Sequence, residues 1–222
     1  MLSTRPFECP PALLARAQRN PAVTTAVANA GAVLALESAK QATEARLITP
    51  ILVGNREGIA RTADEIGWNI GAFEILHADD EDMAALKAAK LAGDGHAAAL
   101  MKGHVHTDAF MMAILNRDSG LRTGRRLTHV FHLTVPDHAK ALLITDAAVN
   151  IAPDLETKFE AIRNAVGLAQ NLGIAAPRVA ILSGTEEATD RMPSSMDAAA
   201  LTERAATELQ NAQVFGPLAF DN

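Results

Sequence analysis

The sequence predicts an α/β protein of two lobes, each a parallel sheet covered by helices. Three observations predict it. Short apolar runs alternate with longer amphipathic stretches along the whole chain, the rhythm of repeated strand–helix units. The apolar runs, such as AVTTAVA at 22–28, LITPILV at 47–53 and RVAIL at 178–182, are nearly continuous, as strands covered on both faces require. Finally, 49% of the residues are hydrophobic but only 4% are aromatic, with one Trp and no Tyr. Packing therefore falls to Ala, Leu, Val and Ile, and Ala favours closely packed helices.

In chain order, Pro10-Pro11 opens a short helix through Arg19, and 22–28 is a strand. The Ala-rich 31–45 is a helix, 47–53 a strand, and Gly54-Asn55 turns the chain into a helix over 56–66. A short strand at 73–76 precedes a helix at 79–92, whose acidic first turn suits the helix dipole. A strand at 97–101 and a helix at 107–115 follow. The turn-forming residues Asn116, Arg117, Asp118, Ser119, Gly120 and Gly124 then divide the chain into lobes 1–120 and 121–222. The second lobe continues with strands at 128–134 and 141–145, a helix at 156–172 stopped by Gly173, a strand at 178–182, a helix at 196–210 and the start of a further, unassigned element at 214–215.

A net charge of −6 opposes general nucleic-acid binding, which needs a basic face to displace counterions. It leaves room for a small anion held by local Arg and Lys. The single Cys9 forms no internal disulfide and fits a reducing cytoplasm. The start of the chain lacks a signal-peptide layout, and no apolar run reaches membrane-spanning length.

In open α/β sheets ligands bind beyond the carboxyl ends of strands, so four loops are candidates. In Lys102-Gly103-His104-Val105-His106-Thr107-Asp108, Gly103 permits close backbone approach, Lys102 adds charge, and Thr107 is a candidate N-cap; a plain strand-to-helix turn reads equally well. His104, His106 and Asp108 invite a metal reading, but no other ligand cluster supports it, and no metal is expected. In Leu121-Arg122-Thr123-Gly124-Arg125-Arg126, three Arg in five residues of an acidic chain favour anion binding over a solvated turn. In Thr145-Asp146-Ala147-Ala148-Val149-Asn150, Asp146 is either a proton acceptor or an Asx-turn former. In Ser183-Gly184-Thr185-Glu186 and Pro193-Ser194-Ser195-Met196-Asp197, capping boxes account for the Ser–acid spacings without catalysis. Neither a dinucleotide fingerprint nor a phosphate-binding P-loop is present.

At these loops the sequence resembles the phosphate acetyltransferase and phosphate butyryltransferase family, its short butyryltransferase-like branch above all. The matching stretches are MKGHVHTDAF (101–110), GLRTGRRLTHVF (120–131), ITDAAVNIAPDLETKFEAIRNAV (144–166), RVAILSGTEEA (178–188), PSSMDAAAL (193–201) and GPLAFDN (216–222), in the family's order. The resemblance implies two three-layer α/β/α lobes like those of isocitrate and isopropylmalate dehydrogenases, a cleft between them, and a homodimer. It implies reversible acyl transfer between CoA and inorganic phosphate, with acyl-CoA and acyl phosphate as substrates, no metal and no resident cofactor. Lys102, Gly103, Thr107 and the amides of 103–107 would face phosphate. Arg122, Thr123, Gly124, Arg125 and Arg126 would meet CoA phosphates or inorganic phosphate, and Asp146, Asn150, Ser194 and Ser195 would line the opposite wall. Family members continue beyond the GPLAFDN-like segment with a Ser-Arg pair and an acidic residue. These have no counterpart here, so the catalytic residues stay unassigned and the first lobe is expected to be incomplete. A non-catalytic CoA- or phosphate-binding module is the alternative from another class. An oxidative decarboxylase is the third reading, but it lacks an acidic metal-binding trio and a nicotinamide site.

Overall fold

A computed structural model describes residues 9–134 and 141–220. They divide into two compact units, with the division between Thr123 and Gly124. In the first unit a short helix α1 (Pro11–Ala17) precedes β1 (Val23–Ala28), α2 (Val33–Glu44), β2 (Ile48–Gly54), α3 (Arg56–Glu65), β3 (Glu74–His77), α4 (Glu81–Gly93), β4 (Ala99–Lys102), α5 (Thr107–Leu115) and one 3-10 turn (Arg117–Ser119). The four strands form one parallel sheet in the order β3-β2-β1-β4.

Strand alternation explains why this sheet is covered on both sides. Ala26, Ala28, Ile51 and Val53 pack with Ala84, Ala85, Ala88 and Ala89 of α4 and with Ala113 of α5. Their neighbours Val27 and Leu52 point the other way, onto Leu36 and Ala39 of α2, Ile59 and Ala63 of α3, and Trp68. The methyl-sized side chains of α4 let it lie close on the sheet. Where α4 ends, a Cβ on Gly93 would stand 1.6 Å from the Ser119 carbonyl oxygen, so glycine is needed for that approach. Pro50, fully buried in β2, precedes the residues that pair with β3, so its missing N–H breaks no bond on that side.

The second unit holds β5 (Val130–Leu133), β6 (Leu142–Thr145), α6 (Leu155–Asn171), β7 (Arg178–Leu182), α7 (Pro193–Glu208) and β8 (Gln213–Leu218). β7 and β8 are parallel, but β5 and β6 are antiparallel, against the expectation of a wholly parallel sheet. The eight residues between them are fewer than the dozen or so that a parallel crossover needs. β8 is a full strand where the sequence left an unassigned element at 214–215, and α7 begins at Pro193, three residues early, with proline in the first turn. The core here is small: Phe159, Ile162, Val166, Leu201 and Ala205.

Arg163 and Arg204 bracket the Phe159 ring at 4.9 and 3.8 Å from its centroid. Arg204 also donates to Glu156 and Glu208, which ties the start of α6 to the end of α7. The hydrogen bond from Arg204 holds the Glu156 carboxyl below its ordinary value. A depressed folded-state value stabilises above the unfolded value, and the contribution is lost as pH falls through the folded one. The melting temperature is therefore expected to drop on acidification below about pH 4, and Arg204→Ala should flatten that part of the curve. Melting series across pH on both proteins check this. Among the described residues no helix is long and apolar enough to cross a membrane.

Candidate functional site

The strand order places a reversal of direction in the first unit. From β1 the chain winds to β2 and β3 on one side, then returns to β4 on the other. A ligand crevice is expected at such a point, outside the carboxyl ends of the two strands. Those ends are Ala28 and Lys102, which pair directly. The segments that follow, 29–32 and 103–106, run into the starts of α2 and α5.

These segments are locked together. Gly103 N donates to Ala28 O (2.9 Å) and His104 N to Asn29 O (3.0 Å), while Asn29 Nδ2 donates to His104 O. Asn29 has φ +53°, a left-handed conformation that asparagine tolerates better than most residues. A Cβ on Gly103 would lie 2.4 Å from Ala28 O and 2.6 Å from Asn29 O, so the close approach demands glycine. Val105 turns inward to the core. Its amide donates to Gly103 O at 3.0 Å, and the His106 amide to Glu81 Oε2 at 3.1 Å. The amides of 103–106 are thus bonded within the protein, contrary to the expectation that they meet a ligand.

Helix caps agree with the same place. Asn55 caps α3 by accepting from Gly58 N, and Asp80 caps α4 by accepting from Met83 N. The two helices beside the reversal, α2 and α5, have no side-chain cap. Thr107 is the first residue of α5 and not its cap, which is His106. First-turn amide donors stay open there, where a helix favours an anion. Lys102 is exposed, and no described residue pairs with its ammonium.

The Arg-rich segment separates by role. Arg122 is exposed, with no hydrogen bond or ion pair among the described residues. Arg125 is tied down: its Nε donates to Glu160 Oε2 (3.1 Å) and its Nη2 to Asn164 Oδ1 (2.9 Å), and Glu160 is buried. The Arg126 carbonyl accepts from Asn164, and its charge adds to the Thr157 hydrogen bonds that hold the Asp154 carboxyl below its ordinary value. Thr123 and Gly124 are exposed, and nothing lies within 4 Å of where a Gly124 Cβ would be.

In the second unit, Asp146 accepts from the amides of Ala148 (3.2 Å) and Val149 (3.1 Å) and from Asn150 Nδ2. Asn150 also donates to Leu127 O at 3.0 Å. Burial opposes the Asp146 charge, but the bonds from Asn150 and the two amides outweigh it and hold the carboxyl below its usual value. This is the Asx-turn arrangement. Ser183 and Ser194 face each other, Oγ to Oγ at 2.9 Å. Ser195 is completely buried, its Oγ accepting from Thr189 N (3.0 Å) and donating to Met192 O (2.8 Å). Neither expected capping box forms: no helix starts at Ser183, Met192 precedes α7 without a side-chain cap, and Asp197 pairs with Lys158.

Sequence reasoning missed Asn29 and Glu81, and took His106 only as a metal ligand. Nothing local marks them, because their partners are distant in the chain. Among the described residues no group of three His, Cys, Asp or Glu could hold a metal. A hollow of about 570 Å³ lies at the amino ends of the strands, lined by Thr24, Thr49, Phe73, Glu74 and His96. Its position opposes the helix starts and uncommitted charge, so we place the site at the carboxyl ends.

The sequence profile of the phosphate acetyl/butaryl transferase family matches residues 81–222. The chain is 42% identical over 211 residues to a phosphate acetyltransferase of Rhizobium meliloti, covering 95% of this chain and 67% of that protein. It is 38% identical over 211 residues to a phosphate butyryltransferase of Clostridium beijerinckii, covering 95% and 70%. A phosphate acetyltransferase of Rickettsia prowazekii, 39% identical, is covered over only 60% of its length. The chain thus spans about 60 to 70% of these relatives. Among solved structures, a branched-chain phosphotransacylase from Enterococcus faecalis superposes with a TM-score of 0.74 at 30% identity, over 90% of this chain and 69% of that one. A phosphotransacetylase from Streptococcus pyogenes reaches 0.78 at 16% identity, over 95% and 73%, and shares the fold. By profile and by identity alike, this chain belongs to the phosphate acetyl/butaryl transferase family.

Proposed function

We propose that this chain transfers a short acyl group reversibly between CoA and inorganic phosphate: acyl-CoA and phosphate give acyl phosphate and free CoA. The observation that carries the reading is the pair of helices without side-chain caps, α2 and α5, beside the β1–β4 reversal, with Lys102 uncommitted at its edge. Oriented N–H groups and a nearby ammonium suit a phosphate or acyl phosphate dianion. Arg122, exposed and without a described partner, is the guanidinium assigned to a phosphate of CoA or to inorganic phosphate. Thr107 contributes its amide in the first turn of α5. Arg125, Asp146, Asn150 and Ser195 act through the local bonds described above and shape the loops. Thr123, Gly124, Arg126 and Ser194 remain exposed enough to meet substrate. The two units are read as lobes of the isocitrate dehydrogenase type, in a cytoplasmic homodimer without resident metal or cofactor.

The test is direct. Purified protein is mixed with acetyl-CoA or butyryl-CoA, with and without phosphate, and free thiol is followed. Phosphate-dependent release supports the proposal. Absence of release overturns it: CoA binding without release leaves a binding module, and loss of both binding and release removes the site as well. Lys102→Ala is expected to raise KM for phosphate, and Arg122→Ala KM for phosphate or CoA. Each should rise about ten- to a hundredfold, the loss of one charge-assisted hydrogen bond of about 1.5–3 kcal/mol. Unchanged KM and kcat in both variants would remove these residues from the site.

A further inference from the structure

We propose that Glu160 and Asn164 are positioning residues for the guanidinium of Arg122; this rests on the acyl transfer proposed above, in which Arg122 meets a phosphate. The two lie one turn apart on α6, and both turn to the segment that follows Gly124. Glu160 Oε2 accepts from Arg125 Nε at 3.1 Å, and Asn164 Oδ1 accepts from Arg125 Nη2 at 2.9 Å. Those N–H groups share one edge of the planar guanidinium, so the bonds fix its plane as well as its charge. Asn164 Nδ2 also donates to Arg126 O (3.3 Å) and to Thr128 Oγ1 (2.9 Å). Asn150 Nδ2 donates to Leu127 O at 3.0 Å, and Thr145 Oγ1 to His129 O at 2.7 Å. Each residue from 125 to 129 is thus tied to α6 or to the turn at 145–150.

Stability alone is a poor reason for this arrangement. The Glu160 side chain is only 8% exposed, and taking a carboxylate out of water costs about as much as its partners return. Its other oxygen accepts from Arg163, so the charge is matched without Arg125. What Arg125 adds is geometry: a buried, immobile acceptor on a long helix, to which the chain is fastened just after the division between the units.

A second anchor lies upstream. Leu121 N donates to Ser119 Oγ at 3.3 Å, and the Leu121 side chain packs on the core of the first unit. Arg122 follows this anchor directly and precedes Arg125 by three residues, a span of at most about 11 Å. It is exposed and has no described partner, whereas Arg125, of the same type in the same basic cluster, is occupied in holding the chain. A guanidinium on a segment held at both ends loses less freedom when it closes on a phosphate than one on a loose loop. Within the cluster, Arg122 binds and Arg125 anchors, and Glu160 and Asn164 act on substrate only through them.

The test is a double-mutant cycle in the phosphate-dependent thiol assay, with melting temperature as the folding control. Asn164→Ala and Arg125→Ala are each expected to raise the same KM that Arg122→Ala raises, by about three- to tenfold, with kcat within about twofold. Arg125→Lys should behave as Arg125→Ala does, because an ammonium lacks the planar fork. Glu160→Gln keeps the shape of the side chain but weakens its bond to Arg125, and should raise that KM too. In an Arg122→Ala background, Asn164→Ala should change it by less than about twofold, since nothing is left to position. A wild-type KM in both Asn164→Ala and Glu160→Gln overturns the inference. So does a rise of equal size with and without Arg122, or one that appears only with a lowered melting temperature, since either marks ties that serve the fold and not the substrate. These outcomes, seen beside an active wild-type chain, leave the proposed function standing. A wild-type chain without phosphate-dependent thiol release overturns that function first, and this inference with it.

Discussion

Gly103→Ala is expected to cost about 3 kcal/mol of stability, the upper end for overpacking, and to lower thiol release about a hundredfold. The added methyl would stand 2.4 Å from Ala28 O and 2.6 Å from Asn29 O. Both obstacles are backbone of β1 and its continuation, which cannot swing aside as a side chain can. Relief requires the 102–106 segment to lift, which breaks the bonds from Gly103 N to Ala28 O and from His104 N to Asn29 O. Lys102 and the start of α5 move with it, and a displacement of about 1 Å in a site costs about a hundredfold in rate. Gly124→Ala is the control: its Cβ meets nothing within 4 Å, and its stability should stay within about 0.5 kcal/mol of the parent. Melting curves and kcat/KM on both variants decide. Equal behaviour of the two alanines would mean that the 28–29 and 103–104 backbones are not locked as described.

Phe159→Ala is expected to remove about 3–5 kcal/mol from the 124–222 unit, the usual cost of deleting a buried aromatic side chain. Phe159 is completely buried and is the largest side chain in a core of five residues. Few neighbours can collapse into the space it leaves. Arg163 and Arg204 would also lose the ring face that positions them, and the Glu156–Arg204–Glu208 tie between α6 and α7 would loosen with them. A loss of that size is a large fraction of a domain's marginal stability of about 5–15 kcal/mol. Phe159→Leu keeps an apolar side chain but no ring, and should fall between the two. Denaturation followed by a probe in residues 124–222 measures the series; a Phe159→Ala loss under about 1 kcal/mol would contradict the packing.

What could be read in advance is what leaves a local trace. Strand and helix existence follows from the period of apolar residues, and all but the shortest elements lie within a few residues of their expected places. Burial of β1 and β2 on both faces follows from their unbroken apolar runs, met in the structure by Ala-rich α4 on one side and by α2 and α3 on the other. The antiparallel β5–β6 pair was legible too, from the short connection, but the general strand–helix rhythm hid it. Family membership was carried by consecutive motifs, each a short stretch of chain.

The site was less legible, because it depends on residues far apart in sequence. Asn29 and His104 are 75 positions apart, Glu81 and His106 25, Arg125 and Glu160 35. No periodicity or spacing rule connects such pairs. Composition could mark Arg122, Arg125 and Arg126 as one basic cluster. Folding alone gave Arg125 a buried carboxylate partner and left Arg122 in solvent. The same holds for Ser194 and Ser195, neighbours of one type: one side chain stays at the surface facing Ser183, the other is sealed inward on Thr189 and Met192. Residue types and their local order thus settled the elements, the helix-covered sheet and the family. The strand order β3-β2-β1-β4 settled which two helix starts meet and which charges stay free, because pairing between strands is a long-range choice made by burial and hydrogen bonding across the whole unit.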